Sequence, residues 1–155
     1  MKNFKIYLDT SVISMLDNSG RGVITKKFFE AANKNNCELI ISEIVNKEII
    51  DAEISKKDAI LFFLDTLKYT LIPYNQKSYY LAWNYVFDGI LTHNHIADLL
   101  HVAYATVHEC DMIVSWNRKH IAKPIKIQKI NACNLKNNYN VIAIFTPEEF
   151  LTYFK

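Results

Sequence analysis

Glycine and proline are scarce in this chain, three of each among 155 residues, and the three cysteines, Cys37, Cys110 and Cys133, are odd in number and widely spaced. With so few chain breakers a second domain is hard to place, and a single domain spanning residues 1–155 is expected, large enough to bury most of its unfolded surface. The cysteine pattern does not support a disulfide framework and reads as buried free thiols. No uninterrupted apolar run approaches the ~18 residues of a membrane span and no cleavable leader opens the chain, so a soluble cytoplasmic protein is expected, with no membrane partner. Lysine and arginine are absent from Ser78 to Asn117.

Half of the residues are hydrophobic, and the net charge of +2 is too small to name a nucleic-acid partner by itself. Its distribution says more, because Arg118, Lys119, Lys123, Lys126, Lys129 and Lys136 follow directly on the cation-free centre. Such a boundary suits metals seated beside a phosphate backbone, and equally a solvated helix face.

Short β-rich runs alternate with helical patterns, the signature of an α/β fold with a parallel sheet. The strands are expected at Phe4 to Leu8, Glu38 to Ile41, Tyr69 to Ile72, Met112 to Ser115 and Val141 to Phe145. Helices are expected near Thr25 to Asn35, Glu43 to Ala52, Lys56 to Leu67, Lys77 to Phe87, Ile96 to Glu109 and Ile125 to Asn137. Thr146-Pro147-Glu148-Glu149 reads as an N-cap, a proline at the first helical position and acids in the first turn, so a short helix closes the fold. Tyr79, Tyr80, Trp83 and Phe87 recur at helical spacing. Core packing is the preferred reading of that stripe, with a dimer seam or partner groove as the alternative.

The candidate chemistry lies in carboxylates. Asp9 stands where the first apolar strand runs out, and the carboxyl ends of parallel strands are where ligands bind. An N-cap role is the plain alternative, but Thr10 and Ser11 are both available for capping. Glu48 falls among Ile44, Val45, Ile49 and Ala52 on one helical stripe, where an ionised group needs a cleft or a cationic partner. Glu43 is turned by about 140° from it and is explained by the helix N-terminus and by Lys47 four residues on. Asp98 opens a helix that is apolar almost all round, with helix-dipole stabilisation or pairing to His101 as its ordinary explanation. Asp111 and Asn117 sit at opposite ends of one strand, about 20 Å apart if extended at ~3.3 Å per residue, so only Asn117 shares an end with Asp9. Asp111 is expected to be structural.

A site of Asp9, Glu48, Asp98 and Asn117 has only oxygen ligands. Carboxylates ~4 Å apart repel by roughly 4 kcal/mol at an effective dielectric near 20, so converging acids take up protons or hold a cation. Oxygen ligands favour the hard ions Mg²⁺ or Mn²⁺ over zinc. His93 and His95, at alternate positions in a turn, are expected to be solvated.

In order and spacing, Tyr7-Leu8-Asp9-Thr10-Ser11, Ser42 with Glu48-Ile49, Asp98-Leu99-Leu100-His101-Val102-Ala103 and Val114-Ser115-Trp116-Asn117-x-Lys119-His120-Ile121 resemble the PIN-domain family. The similarity is to the VapC-like toxins of type II toxin–antitoxin modules, over nearly the whole chain. It implies an α/β/α sandwich around a mainly parallel sheet of about five strands. It also implies a Mg²⁺-dependent endoribonuclease inhibited by a cognate antitoxin. By motif position, Asp9, Glu48 and Asp98 match the family's acidic, metal-holding triad, and Ser11 and Ser115 match its supporting hydroxyls. Asn117 stands where many members have a fourth acid, which bears on whether a second metal binds. Arg118, Lys119 and His120 are the candidate contacts to RNA phosphates.

Two other acidic-cluster classes fit poorly. A phosphoacceptor receiver needs an acceptor Asp at the end of a middle strand, and Tyr69-Thr70-Leu71-Ile72-Pro73 has none. A haloacid-dehalogenase-type phosphatase needs a second Asp where Ser11 stands. The stronger rival is a PIN-like module with impaired catalysis that only binds RNA or a partner protein.

Overall fold

The computed structural model describes residues 2–17, 20–52 and 54–154. Its strands are β1 (Lys5–Leu8), β2 (Glu38–Ser42), β3 (Thr70–Ile72), β4 (Met112–Val114) and β5 (Ala143–Phe145), all within two residues of the sequence expectation. They form one sheet in the order β3-β2-β1-β4-β5, and every pairing is parallel. Tyr7 on β1 is in register with Ile40 on β2 and Ile113 on β4.

The helices are α1 (Thr10–Ser14), α2 (Arg21–Lys34), α3 (Glu43–Ile50), α4 (Ile54–Thr66), α5 (Gln76–Phe87), α6 (Ile96–Val107), α7 (Pro124–Lys136) and α8 (Pro147–Tyr153), with short 3-10 turns at Met15–Asp17 and His93–His95. Side chains alternate across a strand, so each strand feeds two cores. Ile6, Leu8, Leu39, Ile41, Met112 and Val114 pack on one face against α1 to α4 and α8. Tyr7, Ile40, Ile72, Ile113 and Ile144 pack on the other, against α5, α6 and α7. The result is an α/β/α sandwich. α8 carries the expected cap as a full capping box between Thr146 and Glu149. The five-residue α1 was not foreseen in the sequence, because Val12-Ile13 is too short a run to show a period.

Three observations correct or refine the sequence reading. The aromatic stripe of α5 is not core: Tyr80, Trp83 and Phe87 are exposed, and only Tyr79 is partly buried. The helix instead buries Ser78, Leu81, Ala82 and Tyr85. Cys37 is half-buried, whereas Cys110 and Cys133 are buried, and all three are free thiols. Glycine scarcity is met by other residues at helix ends, since Asn36, Glu109 and Asn138 all take the left-handed conformation just beyond α2, α6 and α7.

Gly22 cannot be spared. A β-carbon there would lie 2.5 Å from the backbone oxygen of Leu16. Gly22→Ala should therefore force the turn before α2 to shift and destabilise the protein by about 1–3 kcal/mol, measurable as a lowered urea midpoint.

Asp111 is structural, as its strand end implied. Its carboxylate accepts the Lys5 backbone N–H at 2.8 Å and pairs with Lys2, far from Asp9. Burial opposes its charge, but Lys2 and the Lys5 amide prevail and hold its pKa below the ordinary carboxylate value. A depressed folded-state pKa contributes stability above the unfolded value near ~4, lost as pH falls through the folded value. Asp111→Asn should thus cost about 1 kcal/mol at neutral pH. The gap to wild type should close on acidification, which urea unfolding across a pH series will register.

Candidate active site

The sheet order reverses at β1, because the chain builds outward through β2 and β3 and then returns to place β4 on the other side of β1. The loops beyond the carboxyl ends of β1 and β4 diverge there and leave a crevice, where open parallel sheets hold ligands. A cleft of about 370 Å³ opens at this point, and its walls include Asp9, Ser11, Glu48, Asp98 and Asn117. All four of the oxygen-bearing residues expected to share a site thus border one space.

Asp9 is 5% exposed. It occupies the N-cap position of α1, yet its side chain makes no capping hydrogen bond. Its Oδ2 instead accepts from Ser11 Oγ at 2.5 Å and Ser115 Oγ at 2.8 Å. Those hydroxyls accept in turn, Ser11 from the Trp116 backbone N–H and Ser115 from that of Asn117, each at 3.0 Å. The two serines tie the end of β1 to the end of β4 and fix the direction of the carboxylate.

Glu48 reaches the cleft from α3 with a side chain 37% exposed. Its partner is His101, whose Nε2 is 2.6 Å from Glu48 Oε1 and 3.3 Å from Asp9 Oδ1. On the other side of the buried ring, Nδ1 lies 2.8 Å from the Tyr7 hydroxyl, which lies 2.6 Å from Ser42 Oγ. Burial opposes charge on His101, but Asp9, the Glu48 hydrogen bond and Asp98 outweigh it and raise its pKa above the usual value. Burial pushes the Tyr7 phenol well above its ordinary range. Glu43 faces elsewhere, as its helical phase required. Its Oε1 accepts from the Tyr104 hydroxyl at 2.7 Å and the Tyr79 hydroxyl at 3.2 Å, and these replace the expected Lys47 partner.

Asp98 does not pair with His101. Its Oδ2 is 2.9 Å from His120 Nδ1 and 3.8 Å from His95 Nδ1. His120 is therefore committed to an acid rather than displayed for phosphate. Arg118 donates to Glu148 at 2.8 Å, so its head group is also engaged, and Lys119 is exposed. Asn117 Oδ1 accepts the His120 backbone N–H at 3.0 Å and so shapes the turn that carries this histidine.

The acids of the cleft are therefore interleaved with histidines, which corrects the picture of oxygen ligands alone. The cleft lining still fits a hard divalent cation. Three carboxylates and an amide border it, and the Thr10 hydroxyl at its edge is buried without a partner among the described residues. Asp9, Glu48 and Asp98 are the carboxylates that border the cleft.

No protein-family profile matches the sequence, and no curated protein does. The structure is nevertheless similar to a chain in the crystal structure of VapBC2 from Rickettsia felis bound to a DNA fragment from their promoter. The TM-score is 0.60 at 17% identity, with 91% of this chain and 98% of that one covered. The fold is PIN-like.

Within the PIN-like sandwich, sequence reasoning missed four residues of the cleft region. His101 carried a readable signal, as a lone imidazole one turn after Asp98 in an apolar helix that must bury it. His95 was expected to be solvated, but is half-buried and packed against His120, with ring centroids 4.2 Å apart and the ring planes tilted by 49°. Trp116 and Arg21 complete the wall, the guanidinium lying 5.1 Å over the indole ring. No sequence spacing connects those two. Among the described residues, no helix of this PIN-like fold is long and apolar enough to cross a membrane.

Proposed function

We propose that this chain is a divalent-metal-dependent endoribonuclease, with Mg²⁺ or Mn²⁺ held by Asp9, Glu48 and Asp98, and that it is the toxin of a toxin–antitoxin pair. The observation that carries the reading is the convergence of three acids, from the end of β1, from α3 and from α6, on one cleft at the point where the sheet order reverses. When bound, the cation would polarise a phosphodiester and lower the pKa of an attacking water. The protein's part is to aim the carboxylates. Ser11 and Ser115 hold Asp9 in one orientation, and His101 fixes Glu48. Water attacks phosphorus, the bond to the ribose 3′ oxygen breaks, and a 5′ phosphate and a 3′ hydroxyl remain. The antitoxin enters by likeness to the VapBC2 complex, and a small neighbouring gene for a DNA-binding protein would support it.

The test is to strip the purified chain of metal, offer it RNA with and without Mg²⁺ or Mn²⁺, and map the product ends. Divalent-dependent cleavage leaving 5′ phosphates is expected. Failure to cleave with either ion overturns the reading. A second reading, an RNA- or protein-binding module without catalysis, is favoured by one observation: each acid already has an internal histidine partner. Metal titration separates the two, because a binding module has no need of the ion.

Asn117 offers a finer test. Asn117→Asp keeps an oxygen for the His120 backbone N–H and adds a negative charge to the cleft wall. It should lower the metal concentration for half-maximal cleavage a few-fold without a matching rise in maximal rate, since tighter ground-state binding does not by itself favour the transition state. An unchanged metal dependence would place Asn117 outside the metal's reach.

A further inference from the structure

Beside the acidic cleft, two imidazoles that the proposed hydrolysis does not use stand against one of its carboxylates. We infer that His95, Asp98 and His120 form a binding site for a borderline transition-metal ion of the Zn²⁺ class, and that filling it withdraws Asp98 from the neighbouring Mg²⁺ position. The second half of this inference rests on the nuclease reading, and the first does not.

The ligand atoms of these three residues lie within 4.8 Å of one another. Asp98 Oδ2 is 2.9 Å from His120 Nδ1 and 3.8 Å from His95 Nδ1. Those spacings bracket the roughly 3.4 Å between ligands around a tetrahedral ion with bonds near ~2.1 Å. Closure needs only small side-chain adjustments.

Local backbone structure sets up the site. His95 ends the 3-10 turn that leads into α6, and its N–H is anchored on the Thr92 carbonyl at 3.0 Å. Asp98 is in the first turn of α6. His120 is held by the Asn117 side chain through its backbone N–H. All three residues are half-buried, and the two rings border a second cleft, of about 420 Å³, which gives an ion a path in.

Ligand chemistry selects the ion. Two imidazoles and one carboxylate match the nitrogen-rich preference of Zn²⁺ and leave a fourth position for water, whereas Mg²⁺ favours oxygen and binds imidazole poorly. Asp98 belongs to both this group and the acid-lined cleft, so the two ions compete for one carboxylate. In this arrangement a zinc-class ion is an inhibitor of the metal-dependent reaction.

Zn²⁺ added to the metal-free full-length chain, followed by calorimetry and by competition with a zinc-chelating dye, tests the site directly. One equivalent should bind, with affinity at least tenfold weaker in His95→Gln and in His120→Gln and unchanged in Asp9→Asn. No binding to wild type, or unchanged affinity in both histidine variants, overturns the site. For the coupling, Zn²⁺ should inhibit Mg²⁺-dependent RNA cleavage by wild type. With each protein measured against its own rate in Mg²⁺ alone, His95→Gln should need at least tenfold more Zn²⁺ than wild type for half inhibition; equal sensitivity overturns the coupling. Histidine-dependent zinc binding by a chain that cleaves no RNA under any condition would leave the site standing and remove the nuclease reading.

Discussion

Asp9→Asn is expected to reduce Mg²⁺-dependent RNA cleavage about a thousandfold, roughly 4 kcal/mol of transition-state stabilisation, while the protein stays folded. Asparagine has the shape of aspartate, and its amide oxygen can still accept from Ser11 and Ser115, so the junction between β1 and β4 keeps its geometry. What disappears is the charge proposed to hold the ion. Asp98→Asn should lose activity to a similar degree, with a smaller structural change, because its carboxylate is more open than the 5%-exposed Asp9. Circular dichroism shows whether each variant is folded, and cleavage of one labelled RNA gives the rate. Near wild-type cleavage by either folded variant would remove that residue from the proposed site.

Glu48→Gln and Glu43→Gln form a matched pair on one helix. Glu48→Gln should cost about a hundredfold in rate, since Gln retains an oxygen for the His101 N–H but brings no charge to the cleft. Glu43→Gln should stay within a few-fold of wild type, because Glu43 serves the Tyr79 and Tyr104 hydroxyls and a glutamine oxygen can accept from both. Rates of the two variants measured side by side decide the matter. Comparable losses would assign the wrong face of α3 to the chemistry.

The strand ends were legible in the sequence because they depend on short-range pattern. Asp9 and Asn117 each follow an apolar β-rich run, and parallel pairing then places both at one edge of the sheet. Glu48 and Glu43 were separable by helical phase alone. The histidine partnerships were not legible, because they join residues distant in the chain: His101 meets Glu48 across 53 positions, and His120 meets Asp98 across 22. The misread aromatic stripe of α5 has a different cause. That helix carries two stripes at helical spacing, one of Ser78, Leu81, Ala82 and Tyr85 and one of Tyr80, Trp83 and Phe87, and periodicity cannot say which faces the sheet. The stripe with the smaller side chains is the one buried.

The two serine hydroxyls that clasp Asp9 have a consequence for the order in which the molecule is made. Asp9 leaves the ribosome 106 residues ahead of Ser115, and Trp116, which donates to Ser11, is 105 residues from it. Chains fold from the N-terminus as they are synthesised, and contacts of such long range close last. Until β4 docks beside β1, Asp9 lacks the Ser115 and Trp116 half of its support, and the wall formed by Trp116 and Asn117 is missing. A nascent or truncated chain can therefore contain Asp9, Glu48 and Asp98 without an ordered cleft between them.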